Sequence, residues 1–214
     1  MRKLVFAALA IVLSAFHATG QEAGWDIEAG ITFSSYARSY VMDPERGFRK
    51  NADILWGESE STYTVDDRTV SYARNTVVLP TLAITAGRHL KDLPLNIRLG
   101  LYINHAYNTL NGGPAPLTER ETIVALMPAL RCYYAEKPSD RLFANIEAGL
   151  STSIYSESLN GDTTGSAQCA FAWQISPIGM EIGRKWYFSF AFGIGRVWDF
   201  ALLNLGYRFG KSPR

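Results

Sequence analysis

Three stretches of this chain alternate apolar and polar residues with a period of two over ten positions, and each places charge on the polar side. In the first, Trp25, Ile27, Ala29, Ile31 and Phe33 share one face, with Asp26, Glu28, Gly30, Thr32 and Ser34 on the other. The second sets Leu95, Ile97, Leu99, Leu101 and Ile103 against Asn96, Arg98, Gly100, Tyr102 and Asn104. The third sets Leu142, Ala144, Ile146, Ala148 and Leu150 against Phe143, Asn145, Glu147, Gly149 and Ser151. Period two is the signature of a strand, and ten residues is the length that crosses a bilayer as a tilted strand. A nearly continuous apolar face backed by carboxylates fits a wall with lipid outside and a polar interior. A soluble β-sandwich also enriches strands in aromatics, but it leaves the apolar faces of most strands without an explanation.

The amino terminus agrees with passage through a membrane. Arg2 and Lys3 precede an apolar run from Leu4 to Phe16, and Ala18-Thr19-Gly20 supplies small residues, so residues 1–20 read as a cleaved signal peptide. The run is too short for a spanning helix, and no later run approaches that length. Residues 21–214 are then one domain, with 19 basic and 20 acidic residues, a net charge of about −1 that disfavours a nucleic-acid partner. Hydrophobic residues make up 47% of the chain while mean hydropathy is only −0.04, as alternation requires. Cys132 and Cys169 do not make a disulfide framework, because one strand is expected between them and their backbones would lie roughly 9 to 10 Å apart.

Weaker strand patterns occupy about 70–86, 122–135, 167–182, 186–196 and 199–209, which brings the total to about eight. Pro80, Pro128 and Pro177 fall inside them, and each should mark a bulge or an unpaired position because it removes a ladder donor. Apolar parity changes around Pro177: Phe171 and Trp173 have one parity, Ile178, Met180 and Ile182 the other. Connections alternate in length. A long, charged one over about 38–69 is followed by a short one at 87–94, and 108–121 and 157–166 alternate with short 136–141 and 183–185. The expected fold is therefore all-β: a closed, antiparallel, up-and-down transmembrane barrel of about eight strands, with long outer loops and both termini in the periplasm. Two aromatic girdles should mark its rims: Trp25, Tyr133, Tyr134, Trp186, Tyr187, Tyr207 and Phe209 at one, Tyr36, Tyr72, Tyr107, Tyr155 and Trp198 at the other.

The last strand, Leu203-Asn204-Leu205-Gly206-Tyr207-Arg208-Phe209, ends in alternating aromatics. With Gln174-Ile175-Ser176-Pro177-Ile178-Gly179 ahead of a short turn and Trp186-Tyr187-Phe188, it makes the chain similar to the small OmpA/OmpX-like outer-membrane β-barrels of Gram-negative bacteria. The resemblance implies that the barrel-assembly machinery is a partner that reads Tyr207 and Phe209. Residues 210–214 after the terminal Phe, and a glycine close to Tyr207, depart from that pattern.

The inward faces are expected to carry Asp26, Glu28, Arg98, Arg131, Glu147, Glu181 and Arg208. A barrel of eight strands is just wide enough for side chains to fill, so these charges should pair into a plug, not line a porin-like channel. Small barrels that remodel lipid A, of the PagP and PagL kind, offer an enzymatic alternative that needs a histidine with a nucleophile or an acid. His89 is expected as a solvated turn residue. His105 is expected to face lipid near the outer rim beside Arg74, Thr76, Arg120 and Thr122, with no carboxylate to orient it, so no catalytic residue is assigned. No Cys/His spacing suggests a metal, and no motif suggests a cofactor. The expected function is that of a non-enzymatic outer-membrane protein contacting lipid and lipopolysaccharide, with an extracellular or membrane-protein partner held by the loop 38–69. An accessory role in a secretion or assembly complex is a further alternative.

Overall fold

The computed structural model describes residues 24–32, 59–65, 68–90, 93–111, 117–137, 139–159, 162–195, 197 and 200–209. The expected signal peptide and the tail after Phe209 lie outside the described residues. Ten strand segments follow one another: β1 Trp25–Thr32, β2 Ser59–Val65, β3 Arg68–Val78, β4 Thr81–His89, β5 Leu95–Asn111, β6 Leu117–Glu136, β7 Asp140–Leu159, β8 Asp162–Gly183, β9 Trp186–Gly195 and β10 Phe200–Phe209.

All pairings are antiparallel. From β4 onward each strand pairs with the next, and β1 closes the ring between β4 and β10, with Trp25 opposite both Phe209 and Arg88. The ring has eight walls because β3 and β4 are two halves of one: β4 pairs with β5 from Leu82 to His89, and β3 with the far end of β5 from Ala73 to Val78. The break falls at Leu79 and Pro80, where the proline cannot donate to a ladder. Among the described residues β2 pairs only with β3, and it stands outside the ring. Its seven residues lie within the stretch 38–69 expected as loop, of which residues 38–58 and 66–67 are outside the described residues.

The other two prolines act as their chemistry demands. Around Pro128 the β6–β7 ladder skips from Leu126↔Leu150 to Ala129↔Glu147, while Pro128 still sits opposite Leu99 on the other side. Around Pro177 the register shifts against both neighbours. This bulge changes the phase of β8: Gln174 and Ser176 point inward before it, Gly179 and Glu181 after it.

The exterior is apolar. Ile27, Ile31, Leu82, Ile84, Ile103, Leu130, Ile146, Leu150, Phe171, Ile175, Ile178, Phe188, Phe192 and Leu205 are all exposed, a pattern only lipid accommodates around a whole wall. The walls differ in height, however. β1, β4, β9 and β10 have eight to ten residues, whereas β6, β7 and β8 have 20, 20 and 22. On one side the sheet therefore projects beyond the apolar belt by about ten residues, or roughly 30 Å along the strands.

Candidate functional site

Alternation turns every second side chain into a lumen too narrow for water-filled space, so the inward polar residues meet. Glu28 on β1 is the hub. Its carboxylate accepts from Arg131 Nη1 on β6 at 2.7 Å, Tyr187 OH on β9 at 2.9 Å, Asn204 Nδ2 on β10 at 3.2 Å and Thr85 Oγ1 on β4 at 3.3 Å, and Arg98 Nη2 on β5 lies 3.0 Å away. Donors from five strands thus converge on one side chain of a sixth.

The ion pairs continue in both directions from it. Arg98 Nη2 lies 3.0 Å from Asp26 Oδ1, and Asp26 Oδ2 lies 3.2 Å from His89 Nε2 and accepts from Asn96 at 2.6 Å. Arg131 Nη1 lies 2.6 Å from Glu181 Oε1, and Glu181 Oε2 pairs with Arg208 Nη2. Arg208 also donates to the carbonyls of Gly183 at 2.9 Å and Arg184 at 2.6 Å, in the turn that joins β8 to β9. Six of the seven residues singled out from the sequence thus form one chain of alternating sign, Asp26–Arg98–Glu28–Arg131–Glu181–Arg208. The seventh, Glu147, stands apart: it accepts from Tyr102 OH at 2.5 Å and Asn145 Nδ2 at 2.6 Å, and pairs with no arginine among the described residues.

Aromatic rings and glycines complete the packing. The Arg131 guanidinium lies 3.9 Å from the Phe143 ring centroid, and that of Arg208 lies 3.9 Å from the Tyr187 centroid. Each ring needs a wall without a side chain beneath it. A Cβ on Gly206 would stand 2.2 Å from Tyr187 Cζ, and one on Gly179 would stand 2.3 Å from Phe143 Cζ. The glycine beside Tyr207, out of place for the family pattern, is required here by the ring of Tyr187.

Several side chains differ from expectation. His89 is not a solvated turn residue. It is the last residue of β4, shares the inward parity of Thr85 and Gly87, is buried, and stacks on Tyr133 at 5.3 Å. Arg141, overlooked in the sequence, has the same parity as Asn145 and Glu147 and is also buried, with Nη1 3.5 Å from His89 Nε2. Tyr133 and Tyr187, expected in a lipid-facing girdle, point inward and donate to Glu181 and Glu28. Tyr155 likewise points inward, between Glu119 and Glu157 at 3.1 Å each. Trp25, Tyr134, Trp186 and Phe209 are exposed on the outer surface, as is Tyr107 nearer the far rim. Tyr207 also faces outward, packing edge-on against Trp186 and Phe209 at 4.8 Å each.

His105 accompanies Thr122, with Nδ1 2.9 Å from Oγ1. On its other side it meets Leu79, not Arg74 or Thr76, whose positions oppose Leu110 and Asn108. Both cysteines are free and exposed. Among the described residues no group of acid, histidine and cysteine side chains has the geometry of a metal site.

No protein-family model and no curated protein matches the sequence. Among solved structures, that of Ail, the attachment invasion locus protein of Yersinia pestis in complex with the heparin analogue sucrose octasulfate, matches at 10% identity and a TM-score of 0.46, covering 88% of this chain and all of that one. The eight-walled antiparallel ring, apolar exterior and filled polar lumen are those of a closed up-and-down β-barrel whose outer face suits lipid.

Proposed function

We propose that the protein is a non-enzymatic surface protein of the outer membrane that binds an extended polypeptide along the open edge of β8. Both termini lie at the periplasmic rim in this reading, and the tall walls rise from the cell surface. One observation carries it. β8 pairs with β7 from Asp162 onward but with β9 only from Gln174 onward, so Asp162–Ala170 pair with β7 alone among the described residues.

Such an edge offers unpaired backbone donors and acceptors to any incoming strand, and natural proteins protect theirs with lysines, prolines, bulges or brevity. Asp162-Thr163-Thr164-Gly165-Ser166-Ala167-Gln168-Cys169-Ala170 has none of these, and Asp162–Cys169 are all exposed. An undefended edge held well clear of the bilayer is suited to strand addition. The stretch 38–69, expected to hold a partner, contributes β2 to the opposite edge of the same projecting sheet. Lipid A chemistry is disfavoured by the surroundings of His105, where Thr122 is the hydrogen-bonding neighbour and the nearby Glu119 and Glu121 are on the inward face.

The test is selection of peptides from a random library displayed on phage, against the barrel folded in lipid nanodiscs. Adjacent residues of a strand direct their N–H groups to opposite edges, so one of Gly165→Pro and Ser166→Pro leaves the β7 ladder intact and blocks the open edge. Peptides enriched on the parent barrel should lose binding to the variant that remains folded by its heat-dependent electrophoretic shift. Undiminished binding to that variant would overturn the edge as the binding element.

A further inference from the structure

We infer that the turn joining β8 to β9, with the aromatic ridge beside it, binds the phosphate of an anionic phospholipid. The ridge crosses three adjacent strands at the short-turn end of the barrel. Trp186 on β9 lies opposite Tyr207 on β10, and Phe209 on β10 lies opposite Trp25 on β1. Tyr207 meets the rings of Trp186 and Phe209 edge-on, and Trp186, Phe209 and Trp25 are exposed on the outer surface. A cation stands against each end of this row. Lys185 Nζ lies 5.5 Å from the Tyr207 ring centroid, and Arg88 Cζ lies 5.2 Å from that of Trp25. Arg88 is buried, so the accessible cations are those of the turn.

The turn is fixed by the same ion-pair chain that fills the lumen. Arg208, the last member of that chain, donates to the carbonyls of Gly183 and Arg184, and its backbone N–H donates to the Lys185 carbonyl at 2.9 Å. Gly183 bends the chain with a φ of 123°, which a residue with a Cβ resists. The backbone is thereby held while the side chains of Arg184 and Lys185 are left exposed. Neither pairs with a carboxylate among the described residues. Glu181 is inward and held by Arg131 and Arg208, and Asp140, on β7, lies opposite Ile182 on β8.

Polarity is layered from this turn toward the middle of the wall. The outward residues of β9 run from Trp186 to Phe188 and Phe192, and Ile182 and Ile178 are exposed on β8 beside them. Cations, then amphipathic rings, then purely apolar side chains is the order of a phospholipid, with phosphate first, ester-linked glycerol next and acyl chains last. A soluble anion uses only the first layer. With the short turns at the periplasmic rim, as in the reading above, this end meets the inner leaflet. The ligand is then a glycerophospholipid of net negative charge, drawn by the paired basic side chains.

Native mass spectrometry tests this on the folded barrel released from micelles that contain equal amounts of phosphatidylglycerol, phosphatidylcholine and lipid A. The barrel should retain phosphatidylglycerol about tenfold more than phosphatidylcholine of the same acyl chains, and Lys185→Gln should lower that preference about fivefold, the effect of one basic residue at an anionic lipid surface. Arg184→Gln together with Lys185→Gln should abolish it. Arg120→Gln removes an exposed positive charge at the far end of β6 and should leave the preference unchanged. The heat-dependent electrophoretic shift confirms that each variant is folded. Equal retention of the two phospholipids by the parent barrel would overturn the site, and an equal drop in Arg120→Gln and Lys185→Gln would reduce it to net charge. Retention of lipid A in preference to phosphatidylglycerol, lost in Lys185→Gln, would overturn the assignment to the phospholipid leaflet.

Discussion

Single side chains decide how this lumen is filled, and Glu28 is the clearest case. Replacing it with alanine leaves Arg98 only Asp26 and Arg131 only Glu181, so three arginines face two carboxylates along the buried chain, and the uncompensated charge should cost about 3 to 5 kcal/mol. Urea unfolding of the barrel in vesicles would read this as a large fall in midpoint, and an unchanged midpoint would exclude the hub role. Gly206→Ala should destabilise by about 1 to 3 kcal/mol through the clash with Tyr187, and Tyr187→Ser should relieve much of the loss. Parity made the seven inward charges legible in the sequence, and it applied equally to His89 and Arg141. His89 was missed because a residue beside a turn was read by its position in the chain instead of its phase. Tyr133 and Tyr187 were missed because an aromatic near a strand end suits either side of the wall. For Tyr187 the deciding feature is the bare Gly206 on the neighbouring strand, visible only once the register is known.

Strands show where alternation stops being informative. The sequence pattern found β6, β7 and β8 across the apolar belt but not their extension to Leu117, Leu159 and Asp162. Beyond the lipid both faces touch water, so Thr163 to Gln168 have no apolar parity to read. Conversely, the change of parity at Pro177 was legible because lipid imposes it on either side. Deleting Pro177 should therefore prevent assembly, since a one-residue slip turns either Gln174 and Ser176 or Gly179 and Glu181 toward lipid. Pro177→Ala keeps the residue count and should assemble; failure of the electrophoretic shift in the deletion alone is the expected pair of results. If the assembly machinery reads the outward ridge of β10, Tyr207→Ala with Phe209→Ala should reduce barrel levels in cells while leaving refolding in detergent intact. Equal loss in both settings would make the pair structural.

As a whole, the molecule is a short closed ring with a tall partial wall. The lumen is crossed by the ion-pair chain, with the Phe143 ring against Arg131, and is filled further by Tyr102 and Met127, all three essentially fully buried. Planar-bilayer recordings should consequently stay flat at moderate voltage, and steady single-channel steps would contradict a filled interior. The seam between β1 and β10 has a further consequence. Trp25 stands directly opposite Phe209, and the eight pairs from there to Thr32 and Leu202 are as regular as any within the chain. Closure therefore needs spatial neighbours but not this particular order of synthesis. A circular permutant that joins the strands across this seam and opens the chain in the turn between β4 and β5 retains every wall, every inward residue and the whole ion-pair chain, with only the position of its ends exchanged.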